Sequence, residues 1–338
     1  MMKKNELSVQ GIVDCASAYY NSALLFAALE LDIFTVIERH GTVGATLHLL
    51  AKECTATPRG MRLLLDGCVA IGLLRKVDDL YFNSDAARVA LVQGVSGYLG
   101  KAIQYNRDVY PAWGQLAQMV RSGRPVEEPE LHLGADKERT SRFALSMHGR
   151  ALGIGRAVVP TLKLQGVRRV LDLAGGPGTY AVLMAESNPE LSCVTVDLPE
   201  ISRVAASLVA QSSVSERVEC RAGDYHSDLY EEEEYDLVTI FGALHQESPE
   251  LIVRILKKSY AALKSGGRIY ILDMMTDKTH AWPQFSALFA VNMALTTDNG
   301  WVFSDAELHD WLHEAGFSEC ATTHVPPPMP HWLVSAVK

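Results

Sequence analysis

The sequence predicts an α/β chain, a doubly wound parallel sheet preceded by a mostly helical domain of winged-helix outline. Three observations lead there. From residue 168 onward, short apolar runs alternate with segments of helical period. Residues 19 to 100 carry helical spacing instead, and end in strand, turn, strand. The glycine-rich turn VLDLAGGPGTY (170 to 180) stands at the change from one texture to the other.

At 338 residues, with 48% hydrophobic and 21% charged residues, the chain is long enough for more than one folded domain. The expected divisions are residues 1–100 as the winged-helix-like domain, 101–165 as a helical linker that contributes to a ligand pocket, and 166–338 as the ligand-binding sheet domain.

In the first division, NSALLFAALELDIFTVIERH sets Leu24, Leu25, Ala28, Leu31, Ile33 and Val36 at near-helical spacing. TPRGMRLLLDGCVAIGL begins a further helix, with Thr57 as its cap and Pro58 in the first turn. GLLRKVDDLYFNS then reads as strand, Asp-Asp turn, strand. A winged helix raises the question of DNA, and charge answers it. Residues 1 to 100 hold nine Lys/Arg against ten Asp/Glu, and behind Arg59 and Arg62 the candidate reading helix turns to Leu63, Leu64, Leu65 and Asp66. A groove-reading helix needs several phosphate contacts, so dimerisation is the preferred role and nucleic acid is not an expected partner.

Residues 101 to 165 read as helical with a break at GRPVEEPE. The sheet domain then runs RRVLDLA, TYAVLMAES, LSCVTVDL, ISRVAASLVAQ, VECRAGD, YDLVTIFGAL, PELIVRILKKSYAALK and GRIYILDMM. It closes on PHWLVSAVK as the last strand, after a VPPPMP loop. EEEEY at 231 to 235 reads as a solvated charge run before a strand. The apolar run ALLFAAL is too short to span a membrane, and the six scattered cysteines suggest neither a zinc knuckle nor a disulfide framework. The net charge of -9 argues against nucleic acid and anionic membrane. A cytoplasmic location is expected.

In open parallel sheets, ligands sit beyond the carboxyl ends of the strands. The turn contains a degenerate G-x-G-x-x-A (Gly176, Gly178, Ala181), a weak dinucleotide signal by itself. Asp172, on the strand entering it, would repel a pyrophosphate and attract an ammonium or sulfonium group. Asp197 ends the next strand, nineteen residues past Gly178, where a carboxylate can accept from both ribose hydroxyls. That feature alone does not separate NAD from S-adenosylmethionine. After the third strand, Asp224 offers an acceptor for an adenine amino group and Tyr225 a ring to stack on it.

With LLFAALELDIF, FALSM, VLDLAGGPGTY, VTVDLPE, GDYH, FGALHQE, LKSGGRIYILD and FSDAELHDWLHEAGF in this order, the chain resembles class I S-adenosylmethionine-dependent small-molecule O-methyltransferases of the caffeate and hydroxyindole type. The resemblance covers nearly the whole chain. It implies a Rossmann-like methyltransferase sheet, a winged-helix dimerisation domain, a homodimer, and S-adenosyl-L-methionine as cofactor with S-adenosyl-L-homocysteine as product. It also implies cofactor contacts at Asp172, Gly175, Gly176, Asp197, Leu198, Asp224, Tyr225 and Phe241. An acceptor slot is implied at Trp113, Phe143, Met147 and Met293, suited to an aromatic or heteroaromatic molecule. No metal is expected.

A phenol-like acceptor of pKa near 10 is about a thousandth ionised at pH 7, a deficit of roughly 4 kcal/mol, so a general base is valuable. The residue in the family's catalytic register is His245. The family's His-Asp-Trp reads His245-Gln246-Glu247 here, whereas a literal HDW, His309-Asp310-Trp311, belongs to a C-terminal helix. His309 and His313 stand at i, i+4, without a third ligand nearby in sequence. Where plant members carry a glutamate supporting the histidine, this chain has Val302 and Phe303; Asp273, at the end of IYILD, matches another acidic position of the family, and the resemblance makes it the candidate to orient His245. Reaction at nitrogen or carbon stays open. So do cofactor binding without methyl transfer, as in hydroxylation or decarboxylation, and a cofactor-sensing winged-helix regulator.

Overall fold

The structure is a computed structural model that describes residues 6–131, 133–326 and 330–338. Pro327, Pro328 and Met329 of the proline-rich loop lie outside the described residues. The chain forms two compact units, Met1–Arg107 and Asp108–Lys338. The division thus falls after Arg107, and residues 108–165 belong to the second unit rather than to a separate linker.

The first unit contains α1 (Val9–Ser17), α2 (Tyr19–Glu30), α3 (Ile33–Arg39), β1 (Ala45–Thr46), α4 (Leu47–Glu53), α5 (Pro58–Ala70), β2 (Leu74–Val77), β3 (Leu80–Asn83) and α6 (Asp85–Ala90). Thr57 caps α5 by accepting from the Gly60 amide, with Pro58 at the first helical position. Two details differ from the expectation. The helical run from residue 19 breaks at Leu31–Asp32, where Asp32 takes a left-handed φ of 52° and starts α3 on a new axis. The two expected strands gain a third, giving the order β1-β3-β2. Ile33, Phe34, Leu50, Met61, Leu65 and Tyr81 fill the core. On α5, Arg62 pairs with Asp66 at 3.6 Å, and the apolar face is buried. The stretch Val9–Glu30 is long and apolar enough to cross a membrane by length and composition, and little of it is buried within this chain.

The chain continues through α7 (Gly100–Trp113), α8 (Leu116–Ser122) and α9 (Lys137–Val158). The sheet unit follows with β4 (Arg169–Leu173), α10 (Thr179–Ser187), β5 (Ser192–Asp197), α11 (Pro199–Val209), β6 (Val218–Ala222), β7 (Tyr235–Phe241), α12 (Pro249–Ala262), β8 (Leu263–Asp273), α13 (Gln284–Thr296), α14 (Asp305–Glu314), β9 (Ser318–His324) and β10 (Trp332–Val337). Strand order is β6-β5-β4-β7-β8-β10-β9. β4 to β8 are parallel, but β10 runs antiparallel to both β8 and β9. The sheet is therefore mixed rather than wholly parallel, and β9 is a strand that sequence reading misses: SECATTH carries polar residues on an edge, with no apolar alternation to mark it.

Alternation along the strands separates two apolar layers. Leu171 and Leu173 join Ile255, Leu256, Leu308 and Leu312 of α12 and α14 on one side. Val170 joins Ala181, Met184 and Val209 of α10 and α11 on the other. α9 packs on α10 and α11. This sandwich fixes the carboxyl ends of β4 to β8 beside one another.

Candidate active site

The turn after β4 is built from backbone that few residues tolerate. Ala174, Gly176 and Gly178 have φ of 50°, 56° and 71°. A Cβ on Gly175 would lie 1.9 Å from Thr195 Oγ1 and 2.4 Å from Asp172 Oδ2, so the turn closes tightly over the strand ends. At Gly176 the same test meets nothing within 4 Å, which leaves that side of the turn open.

Asp172 lies beneath the turn, fully buried. Thr239 donates to its Oδ1 at 2.6 Å and Thr195 to its Oδ2 at 3.2 Å. Burial raises its pKa to about 6, outweighing both hydroxyls, and the Asp197 charge adds to the rise. Its charge thus acts from inside the sheet. Asp197, at the end of β5, accepts the Gly176 amide on Oδ2 and the Leu198 amide on Oδ1, both at 2.7 Å. Desolvation raises it too to about 6, against these two bonds. Each oxygen keeps a second acceptor position.

Beyond β6, Asp224 is half-buried and its Oδ1 accepts the His226 amide at 2.8 Å. Tyr225 donates its hydroxyl to Glu247 Oε1 at 2.6 Å, and burial together with the Glu247 charge holds that hydroxyl well above the ordinary tyrosine range. Phe241, the last residue of β7, is buried with its ring edge-to-face on Tyr180 at 4.9 Å.

His245 sits in a single helical turn, Leu244–Gln246, just past β7, and Asp273 ends the adjacent parallel strand β8. His245 Nδ1 lies 2.7 Å from Asp273 Oδ1, and the His245 amide donates to Oδ2 at 3.3 Å. Both residues are buried. With the Nδ1 proton held on the carboxylate, Nε2 is the ring atom that takes a proton. The edge of Phe289 packs against the imidazole at 5.0 Å.

α13 gathers part of the expected acceptor slot: Asn292 accepts from the Trp113 indole at 3.0 Å, and Met293 is buried beside it. Phe143 and Met147 are half-buried one turn apart on α9. The next residue, His148, bonds Thr179 at the start of α10 at 2.8 Å, which brings α9 to the glycine turn. The two histidines of α14 have other partners: His309 meets Thr322 Oγ1 and His313 the Phe317 carbonyl. No group of three His, Cys, Asp or Glu suited to a metal occurs among the described residues. Val302 and Phe303 are buried apolar residues, so no acid supports His245 from that segment.

Sequence reasoning missed three residues here, Phe289, Glu247 and His331. His331 is buried, and burial lowers its pKa to about 4, with Asp273 opposing the drop and His245 and Arg150 adding to it. It immediately precedes Trp332, which stands opposite Asp273 in the β10 and β8 register. Only that antiparallel pairing brings it to the site.

A glycine turn closed over a buried carboxylate, a second carboxylate at the end of β5 and an imidazole held by a third at the end of β8 stand together at the carboxyl ends of neighbouring strands, where doubly wound sheets bind their ligands. The comparisons give the family. The model of the O-methyltransferase domain matches residues 113–318, and that of the O-methyltransferase dimerisation domain matches residues 13–93. The chain is 31% identical over 328 residues to the tetracenomycin polyketide synthesis 8-O-methyl transferase TcmO of Streptomyces glaucescens, covering 94% of each chain. It is 28% identical over 331 residues to the 3-hydroxy-5-methyl-1-naphthoate 3-O-methyltransferase of Streptomyces sahachiroi, covering 97% of this chain and 94% of that one. In fold it is similar to human N-acetylserotonin methyltransferase solved in complex with SAM, with a TM-score of 0.88 and 24% identity over 100% of this chain and 99% of that one. The chain belongs to the O-methyltransferase family, with that family's dimerisation domain, and is an S-adenosylmethionine-dependent enzyme.

Proposed function

We propose that the enzyme methylates a hydroxyl of an aromatic or heteroaromatic small molecule, with His245 as general base and Asp273 as the group that orients it. The observation that carries the proposal is the 2.7 Å contact between His245 Nδ1 and Asp273 Oδ1 beside the glycine turn.

The residues present suit the cofactor. The open side of the turn at Gly176 admits a ligand, Asp197 keeps acceptor capacity for a vicinal diol, and Asp172 places negative charge under the turn. Leu198 follows Asp197 directly, Asp224 and Tyr225 form the adenine end, and Phe241 flanks the methionine portion. When bound, S-adenosylmethionine supplies an electrophilic methyl group on a sulfonium. The protein then has to align an acceptor, exclude water and remove a proton.

Trp113, Phe143, Met147 and Met293 line the acceptor side, joined by Phe289. Apolar and aromatic walls favour a flat ring and keep water out. His245 Nε2 accepts the acceptor's hydroxyl proton, and the imidazolium so formed is stabilised by Asp273, whose charge is desolvated and already aligned.

The same reading makes the protein a homodimer through the first unit, because Val9, Ile12, Val13, Tyr19 and Tyr20 leave an apolar face exposed on α1 and α2. It also places the enzyme in the cytoplasm, in keeping with six unpaired cysteines. Calorimetric titration with S-adenosylmethionine and S-adenosylhomocysteine, followed by a labelled-methyl screen over hydroxylated aromatics, tests the proposal. Binding plus labelled ether product supports it. Binding with label on nitrogen or carbon, or with no transfer, overturns the hydroxyl assignment.

A further inference from the structure

Glu247, two residues past His245, is a buried carboxylate. Its oxygens reach the loop after β6. Oε1 accepts the Tyr225 hydroxyl at 2.6 Å, and Oε2 lies 2.9 Å from His226 Nε2. Its backbone belongs to the catalytic turn: its amide donates to the Leu244 carbonyl, and its carbonyl accepts the Trp301 indole at 2.9 Å. The Trp301 amide in turn donates to the His245 carbonyl at 2.9 Å. The loop is held from its other side by Lys258, whose Nζ donates to the carbonyls of Tyr225, His226 and Asp228. One acidic side chain therefore ties the adenine-side loop to the segment that carries the base.

We propose that Glu247 is a positioning residue that couples occupancy of the adenine end to the placement of His245. The inference rests on the cofactor assignment above and goes beyond it. Asp224, Tyr225 and His226 lie on a loop with one exposed flank, and a nucleoside bound there orders them. Glu247, bonded to two of the three, passes that order to residues 244 to 247 and so to the His245 imidazole. Neither the glycine turn nor Asp273 makes this connection.

The test compares wild type with Glu247→Ala, Glu247→Gln and Tyr225→Phe, the last removing only the donor hydroxyl. Hydrogen exchange of peptides spanning 223–229 and 242–248 is followed with and without saturating S-adenosylhomocysteine, beside calorimetric affinity, melting temperature and kcat. In wild type the ligand slows exchange in both segments. In Glu247→Ala the slowing is expected at 223–229 but is lost at 242–248, kcat falls about tenfold at saturating cofactor, and Gln restores part of both. Tyr225→Phe is expected to reproduce the uncoupling in wild-type Glu247 and to add little in the Ala background, as a shared pathway requires. Equal slowing of both segments in every variant overturns the inference, as does a fall in melting temperature with kcat and exchange pattern unchanged. If wild type itself fails to bind S-adenosylhomocysteine, the cofactor assignment falls, a result distinct from wild-type binding with silent variants. Should the Ala protein not fold, Tyr225→Phe carries the same comparison.

Discussion

At the scale of single residues, the site is set by three carboxylates in three different environments. Asp273 is buried against a histidine, Asp172 beneath two threonine hydroxyls, and Asp197 under two backbone amides. His245→Ala is expected to leave cofactor affinity within about threefold and to cut turnover by about two orders of magnitude or more, read by calorimetry and by initial rates. Asp197 supplies a pH dependence. Its pKa of about 6 in the ligand-free protein lies above the ordinary value of 3.8, so the folded state favours its protonated form. Its contribution to folding stability is therefore full below about pH 4 and is lost as pH rises through about 6. In the ribose-binding role proposed for Asp197 the ionised form is the one that accepts both hydroxyls, so the dependence of binding has the opposite sign. Affinity for S-adenosylhomocysteine should weaken about tenfold from pH 7 to pH 5. Asp197→Asn should flatten that slope in calorimetric titrations.

The residues that sequence exposes are those whose chemistry is local. Asp197 follows an apolar run directly, Asp224 comes just past the end of β6, and His245 comes just past the end of β7. Glu247 and His331 do not announce themselves, because their partners, Tyr225 and His226 for one and the Asp273 surroundings for the other, lie far away along the chain.

At the scale of elements, the turn after β4 is closely packed at Gly175. Gly175→Ala should destabilise the protein by about 1 to 3 kcal/mol and sharply weaken cofactor binding, since its methyl would press on Thr195 and Asp172. Chemical denaturation and calorimetry measure the two effects. Gly176→Ala, with open space around its Cβ but a φ of 56°, should cost less stability. Elements whose pattern is intrinsic were legible: α5 with its Thr57 cap, the hairpin of β2 and β3, and the apolar strands β4, β5 and β7. The edge strand β9, the two-residue β1 and the break before α3 were not. Their residues have no periodicity of their own, and the pairing partner decides them.

At the scale of the whole molecule, the dimerisation domain matched at residues 13–93 supports a homodimer, and the exposed apolar face of α1 and α2 is the surface proposed above for the second copy. Sedimentation should give twice the 37.0 kDa chain mass, and Val13→Glu with Ile12→Glu should shift the protein toward monomer. Sedimentation as a monomer in wild type would leave the face for another partner.

By itself the sequence determined the succession of strands and helices in the sheet unit, the glycine turn and the carboxylates at the strand ends. Each of these is written in contiguous residues through period, cap or turn chemistry. Tertiary structure alone decided that β10 runs antiparallel to both β8 and β9, that Asp273, a candidate by resemblance, comes within 2.7 Å of the His245 ring, and that Glu247 joins the turn carrying His245 to the loop after β6. Those facts depend on strands β7, β8 and β10 lying side by side and on a loop folding back across them. Such adjacency is fixed by packing between distant segments, which no local pattern records.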